Sequence, residues 1–308
     1  MQNRRDFLKK ASLMLAGGVV APHILTSCGG KTSSSTATDT VTTTAAEAPA
    51  KRIGIQLYSL RDMVKEDGIQ AVLEAVAKMG YKHVETAGYD DGKIYGLAPA
   101  EFKKMVDDLG MRCTSAHLGQ SITKENEAEV MAWWDKAIET YNQVGAKYMV
   151  QPSIVINDKT TVDDMKMYCD YFNAVGYKTA AASMAFGYHN HDFEFKYNYD
   201  GKTGYDYLLD NVSPNHVFFQ MDVYWVMKAG FDPAQYLKDR PSQFKTIHIK
   251  DEKEIGASGE INFQSIFEQM KANNVKDWYV EVEQYTNNDP VASVQQSFDF
   301  LNKADYVY

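Results

Sequence analysis

Beyond Lys51 the chain alternates short runs of β-branched and aromatic residues with longer stretches whose apolar positions recur at helical spacing. The short runs, over 53–58, 83–86, 112–116, 148–151, 186–191, 217–222, 246–249 and 279–283, predict eight strands. The stretches between them, such as 68–79 and 99–109, predict amphipathic helices. In the first of these Ala71, Val72, Ala75, Val76 and Met79 share one face. Strands that alternate with helices imply βαβ crossovers and a parallel sheet. The span 51–308 has the size of a closed (β/α)8 barrel, which is the expected fold. An open doubly wound sheet would carry a glycine-rich phosphate turn after its first strand. Here Gln56-Leu57-Tyr58-Ser59-Leu60-Arg61-Asp62 follows instead.

Before Lys51 the pattern changes twice. Residues 1–27 read as an export leader: Asn3-Arg4-Arg5-Asp6-Phe7-Leu8-Lys9 resembles a twin-arginine motif and Leu25-Thr26-Ser27-Cys28 a lipobox, which makes Cys28 the expected lipidation site. The apolar run between them is broken by Gly17, Gly18 and Pro22 and falls short of the roughly 20 residues that span a bilayer. Residues 28–50 are rich in Ser, Thr and Ala, with too little apolar surface to offset chain entropy, and read as a flexible tether. The expected product is an exported lipoprotein, periplasmic or anchored at the outer membrane, with its barrel beside the lipid.

At 44% hydrophobic and 24% charged residues, the composition is that of a globular protein with a substantial core. The net charge is -9, and loss of the leader, which carries four bases and one acid, makes it -12. That balance argues against nucleic acid as a partner. Three cysteines, Cys28, Cys113 and Cys169, do not make a disulfide framework.

Barrel enzymes build their sites at the C-terminal ends of the strands, and here those ends are densely polar. They hold Glu85, His117, Gln151, His189-Asn190-His191, Asp222, His248 with Lys250 and Asp251, and Glu281 with Glu283. Period-two alternation puts His189 with His191, His248 with Lys250, and Glu281 with Glu283 on common faces. Any one histidine could be a hydrogen-bonded core residue. Their concentration at strand ends points to a shared site. Tyr58, Tyr224 and Trp225 could stack on a sugar ring or simply pack the rim. Arg61 is expected to pair with an acid such as Asp62 or Glu85, and Trp133-Trp134 to serve as core or as a contact between copies in a homo-oligomer.

These motifs together resemble the xylose isomerase-like barrels that include sugar phosphate isomerases and epimerases. The resemblance runs over 53–303 through Ile55-Gln56-Leu57-Tyr58-Ser59, Val84-Glu85, Ser115-Ala116-His117, Tyr188-His189-Asn190-His191, Met221-Asp222-Val223-Tyr224-Trp225, Ile247-His248-Ile249-Lys250-Asp251 and Val282-Glu283-Gln284. It implies one divalent metal ion held by residues ending strands five to eight, here His189, Asp222, His248 and Glu283. The family has Glu at the first of these positions; a His there resembles the inosose dehydratases. Two His, one Asp and one Glu suit Mn or Fe, with Zn or Co also within the ligand chemistry. The implied reaction is isomerisation or epimerisation of a sugar through an enediolate, with Glu283, His117, Lys250 and His191 as proton carriers. Tyr58, Glu85, Asn190 and Trp225 are the expected substrate contacts. The exported, acidic character of the chain favours neutral sugars. Dehydration or β-elimination on a keto-sugar or inosose, and carbohydrate binding without catalysis, remain as alternatives.

Overall fold

The computed structural model describes residues 51–308. The leader, Cys28 and the tether lie outside the described residues. Eight parallel strands close into a barrel: β1 (Gly54–Gln56), β2 (His83–Thr86), β3 (Arg112–His117), β4 (Tyr148–Gln151), β5 (Ala185–His189), β6 (Val217–Asp222), β7 (Phe244–Lys250) and β8 (Asp277–Glu281). They follow one another around the barrel in chain order, and β8 pairs with β1 through Gly54 and Tyr279. That seam requires a glycine, because a Cβ at position 54 would lie 2.5 Å from the Trp278 carbonyl oxygen.

The outer layer consists of α1 (Arg61–Met79), α2 (Pro99–Asp108), α3 (Glu127–Val144), α4 (Val162–Ala181), α5 (Gly204–Asn211), α6 (Val223–Lys228), α7 (Pro233–Asp239), α8 (Phe263–Ala272) and α9 (Pro290–Lys303). Their buried positions recur every three or four residues, as with Met165, Tyr168, Cys169, Phe172 and Val175 on α4. Each such large apolar side chain contributes about 1.5–3 kcal/mol when fully buried. Thr161 and Asp164 form a capping box that starts α4. Helix α1 is broken at Gly68, where φ is 84°, so its regular part begins where the apolar period does. Trp134 is fully buried, with its indole N–H donating to the Tyr171 hydroxyl at 2.6 Å. Trp133 meets Tyr89 edge-on and is partly covered. Cys113 and Cys169 are buried free thiols. No helix among the described residues is long and apolar enough to cross a membrane.

All eight predicted strands are present, but three end earlier than the sequence pattern suggests. β1 passes after Gln56 into a 3-10 turn over Leu57–Leu60, and β5 and β8 stop at His189 and Glu281. His191 and Glu283 therefore sit on loops, where strand alternation no longer fixes their direction.

Candidate metal centre

Interstrand register brings four polar strand ends to one level. His189 pairs with Gln220, Asp222 with His248, and Lys250 with Glu281. His189, Asp222, His248 and Glu281 each place one ligand atom within 4.8 Å of the other three, and all four residues are buried. Asp222 ends β6 and caps α6: its Oδ1 accepts the Trp225 N–H at 3.1 Å. Its Oδ2 is buried without a hydrogen-bond partner. Burial of that carboxylate pushes its pKa up, only partly offset by Lys250. An oxygen in that state calls for a cation.

Below the four lies a polar layer that fixes their orientation. Glu85, fully buried, accepts the Gln220 side-chain N–H at 2.8 and 3.1 Å and faces His248 Nε2 at 3.2 Å and His117 Nε2 at 3.1 Å. Burial raises the proton affinity of Glu85, but His117 and His248 outweigh it and keep the carboxylate ionised. With its N–H turned to Glu85, Gln220 aims Oε1 at His117 Nε2 (2.5 Å) and His189 Nδ1 (3.2 Å), so both rings donate there. His189 thereby keeps Nε2 as its lone-pair nitrogen, 3.9 Å from Asp222 Oδ2. Burial and the neighbouring His248 and His117 push its pKa well down, the neutral state that a metal ligand needs.

Two positive groups face the carboxylates. Burial opposes charge on His248, but Glu281, 3.1 Å from Nδ1, and Glu85 together raise its pKa to about 10. Lys250 Nζ lies 2.8 Å from Glu283, 3.3 Å from Glu281 and 3.9 Å from Asp222, which overcome burial and hold it protonated above the ordinary lysine value. Glu281 is held well below its usual range, because Lys250 and His248 outweigh its burial.

The donor set fits a divalent transition metal. Two imidazoles and two carboxylates converge, Asp222 Oδ2 is unpartnered, and each histidine turns its second nitrogen to a fixed acceptor, Gln220 or Glu85. The residues that would hold the ion are His189, Asp222, His248 and Glu281.

That set replaces the expected Glu283 with Glu281. Glu283 lies two residues beyond the end of β8, is partly exposed and pairs with Lys250. Three carboxylates make Lys250 a charge partner, so it is not a base at neutral pH. Glu85 and Asn190, expected at the substrate, are both fully buried. Asn190 instead bonds the Asp222 main chain, accepting its N–H at 3.1 Å. Arg61 pairs with neither Asp62 nor Glu85: it donates to the Tyr285 hydroxyl at 2.7 Å and to the carbonyls of Tyr58 and Glu283, tying the first and last strand loops together.

Above the four ligands opens a cavity of about 460 Å³ lined by Tyr58, His117, His189, His191, Glu281 and Glu283, among others, with no Lys or Arg among the described residues of its lining. His191 stacks on Phe193 and has a buried Nδ1 without a partner. Burial lowers its pKa to about 4. Its backbone N–H is held by Glu194, whose buried carboxylate also accepts the Tyr188 hydroxyl at 2.5 Å. Trp225 lies at the rim, 5.8 Å from His191 between ring centres, with Lys250 Nζ 4.9 Å from its ring. Gln220 and Glu194 were not among the sequence candidates. Gln220 was marked only by its place two residues before Asp222 in an otherwise apolar strand, and Glu194 by its position between Phe193 and Phe195.

The family model for the xylose isomerase-like TIM barrel matches residues 73–304. The chain belongs to this family. Two solved structures resemble it at 35% and 32% identity, both sugar phosphate isomerase/epimerases from Parabacteroides distasonis ATCC 8503. The first covers 84% of this chain and 100% of its own, with a TM-score of 0.78; the second covers 86% and 100%, with 0.79. The 3-keto-D-glucoside 4-epimerase of E. coli shares the fold at 19% identity and a TM-score of 0.61, over 82% of this chain and 100% of its own. Among curated proteins none matches the sequence. Family membership and the two Parabacteroides neighbours support an enzyme in general, in a family that includes sugar isomerases and epimerases.

Proposed function

We propose that the protein is a divalent-metal-dependent isomerase or epimerase of neutral sugars or keto-sugar derivatives. The observation that carries this reading is the convergence of His189, Asp222, His248 and Glu281 around an unpartnered carboxylate oxygen at the floor of a sugar-sized cavity. When bound, a divalent ion would supply Lewis acidity to a carbonyl and its neighbouring hydroxyl, acidifying the adjacent C–H. The chain supplies the rest. His191 and Glu283 both line the cavity as proton carriers; Glu283 presents a carboxylate there, and burial disfavours charge on His191. Lys250 keeps Glu281 ionised and pairs with Glu283, holding it in place. Tyr58 and Trp225 offer aromatic faces at the mouth. No cation in the lining is free for a phosphate, and Arg61 is already bound, so neutral substrates fit better than phosphorylated ones.

A second reading has its own support. With His189 at the end of β5, the cavity holds no opposed pair of ligand carboxylates, and the proton carriers it offers, His191 and Glu283, are chemically unlike. An elimination needs only one carrier: Glu283 takes the proton beside the carbonyl, the C–H electrons form the double bond as the C–O bond to the β-substituent breaks, and the same proton passes to the departing oxygen.

The test is metal-reconstituted protein incubated with neutral ketoses and oxidised glycosides in heavy water and followed by NMR. Deuterium entering at the carbon beside the carbonyl is expected. Loss of the β-oxygen selects the lyase reading, and turnover with complete retention of hydrogen defeats proton abstraction. We also propose that the protein is exported as a lipoprotein through the motifs at Arg4-Arg5 and Cys28. Replacing both arginines by Lys should leave it in the cytoplasm with its leader uncleaved.

A further inference from the structure

The end of the barrel opposite the cavity carries an arc of positive charge. Six of the eight strands start at an exposed Lys or Arg: Arg52, Lys82, Arg112, Lys147, Lys245 and Lys276. These strands are β7, β8, β1, β2, β3 and β4, neighbours in the closed sheet, so the arc is continuous and its gap falls only at β5 and β6. Main-chain hydrogen bonds, Lys82 N–H to the Ile53 carbonyl and Arg112 N–H to the Lys82 carbonyl, hold successive members on one rim. Lys147 pairs with the buried Asp277; among the described residues none of the other five forms an ion pair. Arg52 instead donates to His83 at 3.0 Å. Of the other acids at this end, Asp107 and Asp108 pair with Lys103 and Lys104, Asp210 pairs with Lys202 and Arg240, Asp305 lies near Lys51, and Asp239 at the end of α7 accepts from Gln235.

Such an arc is unexpected on a chain with a net charge of -9. Acids mark the other end, where the first turns of α1 to α5 each carry at least one, from Asp62 to Asp206. The chain also enters the barrel in the middle of the arc. Lys51 donates to the carbonyls of Leu301, Asn302 and Ala304 at the end of α9, which pins the entry point to this floor. Only the residues 28–50 separate this point from the proposed lipid anchor at Cys28. A surface tethered at that distance meets its membrane at high effective concentration, where clustered Lys and Arg add attraction to anionic lipid within a Debye length.

We propose that the basic arc docks the barrel, floor down, on anionic headgroups of the leaflet that holds its anchor, so that the cavity opens away from the membrane. The position of the arc beside the tether rests on the proposed lipid anchor; the affinity of the arc for anionic lipid does not.

The test uses the chain from position 28 with Cys28→Ser, which carries no lipid, and measures co-sedimentation with vesicles of phosphatidylcholine alone or with about a third phosphatidylglycerol. Binding is expected only to the anionic vesicles, at least tenfold weaker in 0.5 M than in 0.05 M NaCl. The triple variant Arg112→Glu, Lys245→Glu, Lys276→Glu should bind at least tenfold more weakly. A control with Lys124→Glu, Lys159→Glu and Lys253→Glu, equal in charge change but placed in loops at the cavity end, should bind like the parent. Thermal melting checks that both variants fold. Equal binding to neutral vesicles, no binding at all, or equal losses in the two variants overturns the proposal. The mass of native Cys28 tests the anchor separately, and an unmodified Cys28 leaves the vesicle result standing.

Discussion

His248 at the cavity end and His83 at the opposite end are shifted in opposite directions by their neighbours. At the cavity end His248 lies between the carboxylates of Glu281 and Glu85, and its pKa is raised to about 10. At the floor His83 accepts from Arg52, and burial with that cation lowers its pKa to about 4. The residue type and the strand scaffold are the same. What differs is the sign of the nearest charges, carboxylates beside His248 and a guanidinium beside His83. A buried carboxylate without enough cations is costly to keep, which suits an end whose work is to receive an ion. Exposed lysines and arginines cost the fold little, and their work is directed outwards.

The sharpest way to break this contrast is to remove an anion above. Asp222→Asn retains an oxygen for the α6 cap but loses the charge, so it should melt near the parent while metal content, measured by elemental analysis, falls to background and turnover drops at least a thousandfold. Full metal content in that variant would remove Asp222 from the ligand set. Next comes the pair of glutamates. Glu281→Gln should lose metal, whereas Glu283→Gln should keep it and slow turnover about 10- to 100-fold; the reverse order would restore Glu283 as the ligand. Glu85→Gln, one layer down, should weaken metal affinity about 10- to 100-fold, as the loss of a partner to a ligand histidine does, read by competition with a chelator.

Smaller effects follow from the two histidines. In metal-free protein the His248 contribution is complete below pH 6.5 and is lost as pH rises towards about 10, because the raised pKa favours the protonated folded form. The lowered pKa of His83 acts in the other direction: its contribution is present above pH 6.5 and is lost as pH falls to about 4, on the order of 1–2 kcal/mol after allowance for solvent screening. Metal-free protein should therefore melt lower at pH 10 than at pH 6.5. An ion at the site, by displacing the His248 proton, should flatten the alkaline side alone, and binding should release about one proton at neutral pH, seen as buffer-dependent heat in calorimetry. Arg52→Ala at the floor should change stability by no more than about 1 kcal/mol and leave metal content untouched.

Much of this architecture was legible in the sequence because a βα repeat writes itself as a change of apolar period, and that signal is long and redundant. All eight strands could be placed from it. The site was legible to the level of its strands: His189, Asp222 and His248 are last or near-last residues of strands that the period locates well. Glu281 and Glu283 could not be told apart, since two residues of the same type on one face differ only in where the strand stops. Hydrogen bonding with β1 and β7 sets that point, and a single sequence does not show it. The roles of Glu85 and Gln220 were hidden for a related reason. A polar residue inside a barrel reads the same whether it meets solvent above or another side chain across the lumen, and Gln220 reaches Glu85 from the far side of the sheet order. Arg61 misled because charge suggests a charged partner, whereas its guanidinium is satisfied by a phenol and two carbonyls.

The division of labour within Asp222 ties the site to an optical signal. One oxygen faces the other ligands, and the second holds the backbone of Trp225, whose indole N–H is buried without a partner and whose ring lies beside the Lys250 ammonium. Any change of charge at the centre thus acts on a chromophore one helical turn away. Of the other tryptophans, Trp134 and Trp278 are sealed in the core and Trp133 packs on Tyr89, so a change in emission on loading can be assigned to Trp225. The protein carries its own fluorescent gauge, and the kinetics of ion and substrate entry are open to stopped-flow measurement with no added dye.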